Sequence, residues 1–386
     1  MNQMASIEVD FQTNSWKSPI SQGLNRTLIG WFLFLALLPF ALVSGFVYLQ
    51  AKDTLEHSTF ASLEASVQQR KRFVDNWFHY RFLDLEAQST NLKNFRFMED
   101  LKLAFEESGK PVGEFVGSYS WTKIAEDQAS DLYSFRRTYG YYDAFLIDLN
   151  GNILFTVRAE ADLGTNLFHG PYSTTLFAKA AKSSLQSGKS TFSDYEFYAP
   201  SANEAAGFLV SPIVDDMGEK IGLFALQLPH HLIDENMRRK VPLGKTVEIY
   251  LIGVDGVARS NSVLKHEGMV LKRSIETEQV QKWRERLVNR ELDQKRYAEP
   301  DPMVYAGPNN SMVLGVMRTI QIGDVIWGLV AEVEEREALI EVNQLRFVFT
   351  FLILVTIIVV LIVSISIAHR IVEPLHLLSR ITRRVA

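Results

Sequence analysis

Two apolar runs, residues 28–49 and 347–368, contain no charged side chain, and each is long enough to cross a bilayer as a helix. Between them the pattern changes twice. From residue 46 to 108 there is neither Gly nor Pro, and apolar residues recur at helical spacing at Leu55, Leu63, Val67, Val74, Trp77, Leu85, Leu92, Phe95 and Leu101. The first span is therefore expected to continue outward as one long helix. Up to Arg96 it would extend roughly 75 Å at 1.5 Å per residue, a spine along several modules. After Gly109-Lys110-Pro111 a second helical stretch is expected around residues 121–137.

At residue 141 the pattern turns to short runs of β formers. Residues 144–147 and 153–157 read as strands joined across Asn150-Gly151, a pair suited to a tight hairpin. Gly170-Pro171 opens a helical run, 172–186, with Leu176, Phe177, Ala180, Ala181 and Leu185 on one face, and Gly188 stops it. Strands are expected at 191–198, 207–214 and 221–228, the last two turning at Asp215 to Gly218. Two strands, a helix and three strands predict an antiparallel sheet flanked by helix. After a linker helix at 230–239 the signal repeats: the apolar strand and Asp255-Gly256 turn beginning at Glu248 match the strand and Asn150-Gly151 turn beginning at Ala144. Strands at 313–318 and 325–333, turning at Gly323-Asp324, close this second module, and the helical run 334–344 reaches the second span without Gly or Pro.

The fold class is thus α+β: a long N-terminal helix with two tandem antiparallel-sheet modules, flanked by two transmembrane helices. The expected divisions are a lead (1–27), a span (28–49), a stalk with further helices (50–138), a membrane-distal module (139–229), a membrane-proximal module with its exit helix (230–345), a second span (347–368) and a cytoplasmic segment (369–386).

Composition narrows the function. A chain of 386 residues with 47% apolar content has room for more than one core, and a net charge of −5 without a basic domain argues against a nucleic-acid partner. With no cysteine there is no disulfide and no thiolate site. The first apolar run exceeds a signal peptide's, and Trp31 and Tyr48 sit near its ends as interface anchors would. Arg370, Arg380, Arg383 and Arg384 follow the second span, whereas Glu332, Glu334, Glu335, Glu337 and Glu341 precede it. Both termini are accordingly expected on the cytoplasmic side of the membrane, with 50–345 outside. Ile371, Leu375, Leu378, Thr382 and Val385 recur at about 3.5, the seam of a parallel coiled coil, which implies a homodimer.

Three strings, taken in order between the two spans, resemble the double Cache (dCache) sensors of bacterial chemoreceptors, sensor histidine kinases and nucleotide cyclases. They are Asp162-Leu-Gly-Thr-Asn-Leu; Phe192-Ser-Asp194 with Tyr198-Ala-Pro200-Ser; and Leu243-Gly-Lys-Thr-Val-Glu-Ile-Tyr-Leu-Ile-Gly with Arg259-Ser-Asn-Ser. Glu373-Pro374-Leu375 resembles the start of a HAMP linker. The resemblance implies PAS-like modules, a distal one that binds a small ligand and a proximal one that relays. The favoured output is a histidine kinase, with a methyl-accepting rod or a cyclase as the alternatives left open. Amino-acid-binding members share an Arg-x-Trp-Tyr, a Tyr-x-Asp and a final Asp. Here only Tyr172 of His169-Gly-Pro-Tyr172 matches the first, and Gln227 stands for the last. This points away from an ordinary α-amino acid.

The candidate ligand-binding residues are Asp194, Tyr198, Tyr172, Arg158, Tyr142 and Gln227, polar or amphipathic groups on elements that such a fold gathers around one cavity. Strand alternation is expected to put Asp194 and Tyr198 on one face. The competing reading makes the tyrosines core and Asp194 a helix cap or the partner of Arg158. Asp148-Leu-Asn150-Gly-Asn152 has its Gly two positions early for a calcium loop and Ala159 where the bidentate Glu belongs, and adjacent His230-His231 diverge on a helix. No metal or cofactor is therefore expected, and no hydrolase or phosphate-binding motif is present. A rival of another class, a structural two-span protein such as a polysaccharide co-polymerase, predicts a mainly helical outer region.

Overall fold

The computed structural model describes residues 19–215, 217–239, 242–265, 267–289 and 300–367. The HAMP-like, coiled-coil segment 369–386 and most of the expected lead lie outside these residues. The chain divides into two compact units, one containing residues 19–55 and 339–367, the other Glu56–Ala338.

Helix α1 spans Pro19–Ser89 with Pro39 inside it. It stops earlier than the pattern predicts, because three polar residues offer the backbone local partners. The Thr90 hydroxyl donates to the Glu86 carbonyl at 2.8 Å, the Asn91 side chain accepts from the Lys93 amide at 2.9 Å, and Asn94 donates to the Gln88 carbonyl at 2.9 Å. Asn91 is thus the N-cap of α2 (Leu92–Ser108), which ends at Gly109 in the left-handed region, φ +61°. Short helices α3 (Val112–Phe115), α4 (Tyr119–Gln128) and α5 (Ser130–Tyr139) follow.

The first module, labelled distal after the sequence expectation, comprises β1 (Asp143–Asp148), β2 (Ile153–Thr156), α6 (Leu176–Ser187), β3 (Thr191–Tyr198), β4 (Glu204–Val214) and β5 (Lys220–Leu228). Its antiparallel sheet has the order β2-β1-β5-β4-β3. Alternation along β1 sorts its side chains cleanly. Ala144 and Leu146 join the core shared with α1 and α2, whereas Phe145 and Ile147 join a separate core beneath α6 with Phe177, Ala181 and Phe208. Helix α6 begins at Leu176, later than the expected 172, because two groups cap it there. The Thr175 hydroxyl accepts from the Ala178 amide, and the Glu196 carboxylate of β3 accepts from the Leu176 and Phe177 amides at 2.8 and 2.9 Å.

After α7 (His231–Arg238), the proximal module comprises β6 (Glu248–Gly253), α8 (Glu278–Asn289), β7 (Met303–Ala306), β8 (Met312–Ile322) and β9 (Val325–Glu334), with the sheet order β6-β9-β8-β7. The outer part of α1 serves both modules: Leu63, Val67, Val74 and Phe78 are buried in one core with Leu209 and Phe224 of the distal sheet and Leu251 and Leu329 of the proximal one. The expected α+β class, with a long N-terminal helix and two PAS-like sheets, is the class observed, and the mainly helical alternative does not hold.

The chain leaves the second module as α9 (Glu335–Ala338), a turn at Leu339, and α10 (Ile340–Ile367). That turn interrupts the continuous exit helix expected from residue 334. In the other unit, apolar windows of α1 and α10 have mean hydropathies of 2.3 and 3.1 and are 0% and 6% buried, so both helices are long and apolar enough to cross a membrane. Apolar side chains outward on a helix suit a lipid surround.

Candidate ligand-binding site

Asp143, the first residue of β1, and Gln227, near the end of β5, are register partners. By alternation both fall on the face that carries Phe145, Leu223 and Ala225, the α6 side. Both are buried, Asp143 with 0% exposure. One Asp143 oxygen, Oδ1, accepts from the Ala144 and Arg158 amides at 2.7 and 3.0 Å. The chain then turns through Ala159 at φ +51°. Beyond that turn, Glu160 Oε1 accepts from the Tyr142 hydroxyl at 2.8 Å and from Arg158 Nε at 2.9 Å. The Arg158 guanidinium also lies 4.2 Å from the Tyr142 ring centroid. Glu160 Oε2 accepts from Ser201 Oγ at 2.9 Å, and Gln227 Nε2 donates to the same Ser201 oxygen at 3.0 Å. From the last position of β3, the buried Tyr198 hydroxyl donates to Asp162 Oδ2 at 2.8 Å, and the Tyr172 ring lies 5.9 Å from that of Tyr198.

Tyr142, Arg158, Tyr172, Tyr198 and Gln227 thus belong to one polar cluster, to which Asp143, Glu160, Asp162 and Ser201 also contribute. These last four were not picked out from the sequence as site residues. Asp143 stood just before an apolar run and looked like a strand edge, while Glu160 and Asp162 lie in a loop whose path no periodicity reports.

Asp194 is elsewhere. A register shift between Phe192 and Tyr195, with Asp194 at φ +65°, is a β-bulge that cancels the alternation expected between Asp194 and Tyr198. The side chain turns instead to the proximal module. Asp194 Oδ1 and Oδ2 accept from Arg259 Nε and Nη2, both at 2.9 Å, and Oδ1 accepts also from Trp327 Nε1 at 2.9 Å and from the Tyr195 amide at 2.7 Å. Its partner is Arg259, not Arg158.

The cluster's electrostatics are set by burial. The Asp143 carboxyl is pushed up to about 7 by desolvation, which its two amide donors oppose and the charges of Asp162 and Glu160 reinforce. Asp162 is pushed up to about 6 by desolvation and by the Glu160 charge, against the hydrogen bond from Tyr198. Desolvation and the bond to Glu160 also raise Tyr142. One oxygen of each aspartate, Asp143 Oδ2 and Asp162 Oδ1, is buried without a hydrogen-bond partner among the described residues. Such groups cost roughly 1–3 kcal/mol each, more when charged, and call for a donor. A pocket of about 310 Å³ in the proximal module, lined by Ser274, Glu276, Thr277, Ala306 and Asn310, carries no such orphan group among the described residues.

No protein-family model and no curated protein matches the sequence. Similar solved structures are ligand-binding domains of bacterial chemoreceptors. Tlp3 of Campylobacter jejuni, in complex with 4-methylisoleucine, is 12% identical with a TM-score of 0.48, over 73% of this chain and 93% of its own. CtaA of Pseudomonas fluorescens, in complex with L-isoleucine, is 13% identical with a TM-score of 0.43, over 74% and 94%. The amino-acid chemoreceptor PctC of Pseudomonas aeruginosa PAO1, in complex with GABA, is 12% identical with a TM-score of 0.46, over 71% and 99%.

Proposed function

We propose that the chain is the sensing region of a transmembrane signal-transduction receptor of the bacterial inner membrane, acting as a homodimer, and that it binds a small polar solute in the distal module. The observation that carries this reading is the pair of buried aspartate oxygens without partners, set among three tyrosines, Arg158 and Gln227. A core gains nothing from such groups, whereas a binding site needs them. Two apolar helices bracket the sensing unit in sequence, and the charge asymmetry of their flanks supports an extracytoplasmic sensor.

In this reading, binding shifts the strands of the distal sheet, and the proximal module relays the shift through its exit helix and the second span. Two contacts support a relay. Asp194 joins the distal strand β3 to Arg259 and to Trp327 of β9, the strand that leads into α9. At the base of α9, the Glu337 carboxylate accepts from the Lys245 and Thr246 amides, each at 2.7 Å, tying the exit helix to the module's opening loop. Helix shifts of ~1–2 Å are enough for switches of this kind. A histidine kinase is the favoured output, ahead of a methyl-accepting rod or a cyclase. The test is a thermal-shift screen of the full chain in nanodiscs against small polar solutes, because a ligand that binds only the folded state raises Tm. A solute that stabilises the wild type but not the Tyr198→Phe and Gln227→Leu variants supports the distal site. If both variants respond as the wild type does, that location is wrong.

A further inference from the structure

We propose that the solute held in the distal module carries a protonated amine, and that Asp143 and Asp162 are the residues that select it. This rests on the distal site just described and goes on to the chemical class of its ligand.

The first argument is charge. Asp143, Glu160 and Asp162 face one another's fields, and Arg158 is the cation among them. The Arg158 guanidinium donates through Nε to Glu160 and lies over the Tyr142 ring. An incoming carboxylate would add negative charge to a cluster in which three carboxyls already outnumber one cation. An incoming ammonium would offset that charge.

The second argument is hydrogen-bond capacity. When ionised, Asp143 and Asp162 can only accept at their open positions, Oδ2 and Oδ1, and the two residues are 0% and 1% exposed. An ammonium brings three donors and no acceptor, enough to supply each of these oxygens with a donor. Ser201 and Gln227, which could otherwise serve a carboxylate or hydroxyl, are bonded to each other and to Glu160. A metal ion would need three or more acidic or imidazole groups converging on one point, and no such grouping exists among the described residues.

The experiment uses the full chain in nanodiscs, with calorimetric titration and thermal shift. The probes are 1,4-diaminobutane, n-butylamine, L-isoleucine, butanoate, glucose and calcium chloride. The expected result is that one or both amines bind and raise Tm while the others do not. Asp143→Asn and Asp162→Asn should each weaken amine binding on the order of 10- to 100-fold, the loss of one charge-assisted hydrogen bond. Asp143→Asn keeps the acceptor used by the Ala144 and Arg158 amides, and Asp162→Asn keeps the one used by Tyr198, so both variants should fold, with apo Tm equal to or above the wild type. If one variant does not fold, the other decides. Amine binding that survives both substitutions overturns the proposal, as does calcium binding that both abolish. If isoleucine, butanoate or glucose binds while the amines do not, the amine assignment fails and the sensor reading stands. If amines fail here and the wider solute screen also finds no ligand for the distal site, both fail.

Discussion

The Asp194→Asn substitution tests how the two modules are joined. Asp194 accepts four hydrogen bonds, two of them from Arg259, and the paired side chains are only 17% and 6% exposed. Breaking a buried pair by removing one charge costs about 3–5 kcal/mol. Arg259 retains Asp255 at 3.0 Å and the Val257 carbonyl at 2.9 Å, so part of its charge stays compensated. We therefore expect a loss of about 2–3 kcal/mol, or roughly 4–10 °C in Tm for a unit of this size. Asparagine tolerates the left-handed backbone as well as aspartate does, so relief of strain should not mask the loss. Differential scanning calorimetry of the full chain in nanodiscs reads the shift. Solute affinity should change by less than about threefold, a minor effect on the scale where tenfold is 1.4 kcal/mol, because Asp194 lies outside the proposed site. A Tm within about 1 °C of wild type would refute the structural role. If affinity fell at the same time, Asp194 would return as a ligand contact.

Trp327→Ala should be more damaging, by about 3–5 kcal/mol, since Trp327 is 0% exposed and its ring meets Phe78, Phe192 and Tyr195 at 5.5, 5.8 and 5.3 Å; a chemical-denaturation loss below 1 kcal/mol would contradict that packing. Burial raises Asp143 from the ordinary 3.8 to about 7, with Glu160, Asp162, Arg158, Tyr142 and Tyr198 the ionisable groups of its cluster. The folded chain therefore holds more protons than the unfolded one between those values, so stability should fall as pH rises across that window and level off above it. Asp143→Asn should flatten the slope of Tm between pH 5 and 8, and an unchanged slope would deny Asp143 that titration. Gly207→Ala would place a Cβ 2.6 Å from the Tyr195 ring on the neighbouring strand, so it should destabilise the distal sheet by about 1–3 kcal/mol, and a neutral result would show that the β3 bulge can yield.

The elements of this fold were legible because two periods, 3.6 and 2, run through long stretches of the chain, and Gly or Asx-Gly pairs mark their ends. Helix α1 ended early where Thr90, Asn91 and Asn94 supplied local hydrogen bonds, a signal present in the residue types but outweighed by the absence of Gly and Pro. Helix α6 began late for a different reason: Glu196 caps it from a strand twenty residues on, and no local pattern reports a tertiary cap. Tyr198 and Gln227 were legible as members of the polar cluster because each sits at or near the end of a recognisable strand. Asp194 misled because one bulge residue reverses facing, and a bulge at a non-glycine residue leaves little trace in sequence. Asp143, Glu160 and Asp162 came together only through the turn at Ala159 and the register of β1 against β5.

The central claim is the location of the site, and amide hydrogen exchange of the full chain in nanodiscs, with and without a stabilising solute, tests it most directly. The account predicts that the solute slows exchange at Tyr142 to Ala144, Arg158 to Asp162, Tyr198 to Ser201 and around Gln227, with smaller changes along β9 and α9. Protection confined to Ser274 to Glu278 and Ala306 to Asn310, around the proximal pocket, would contradict it.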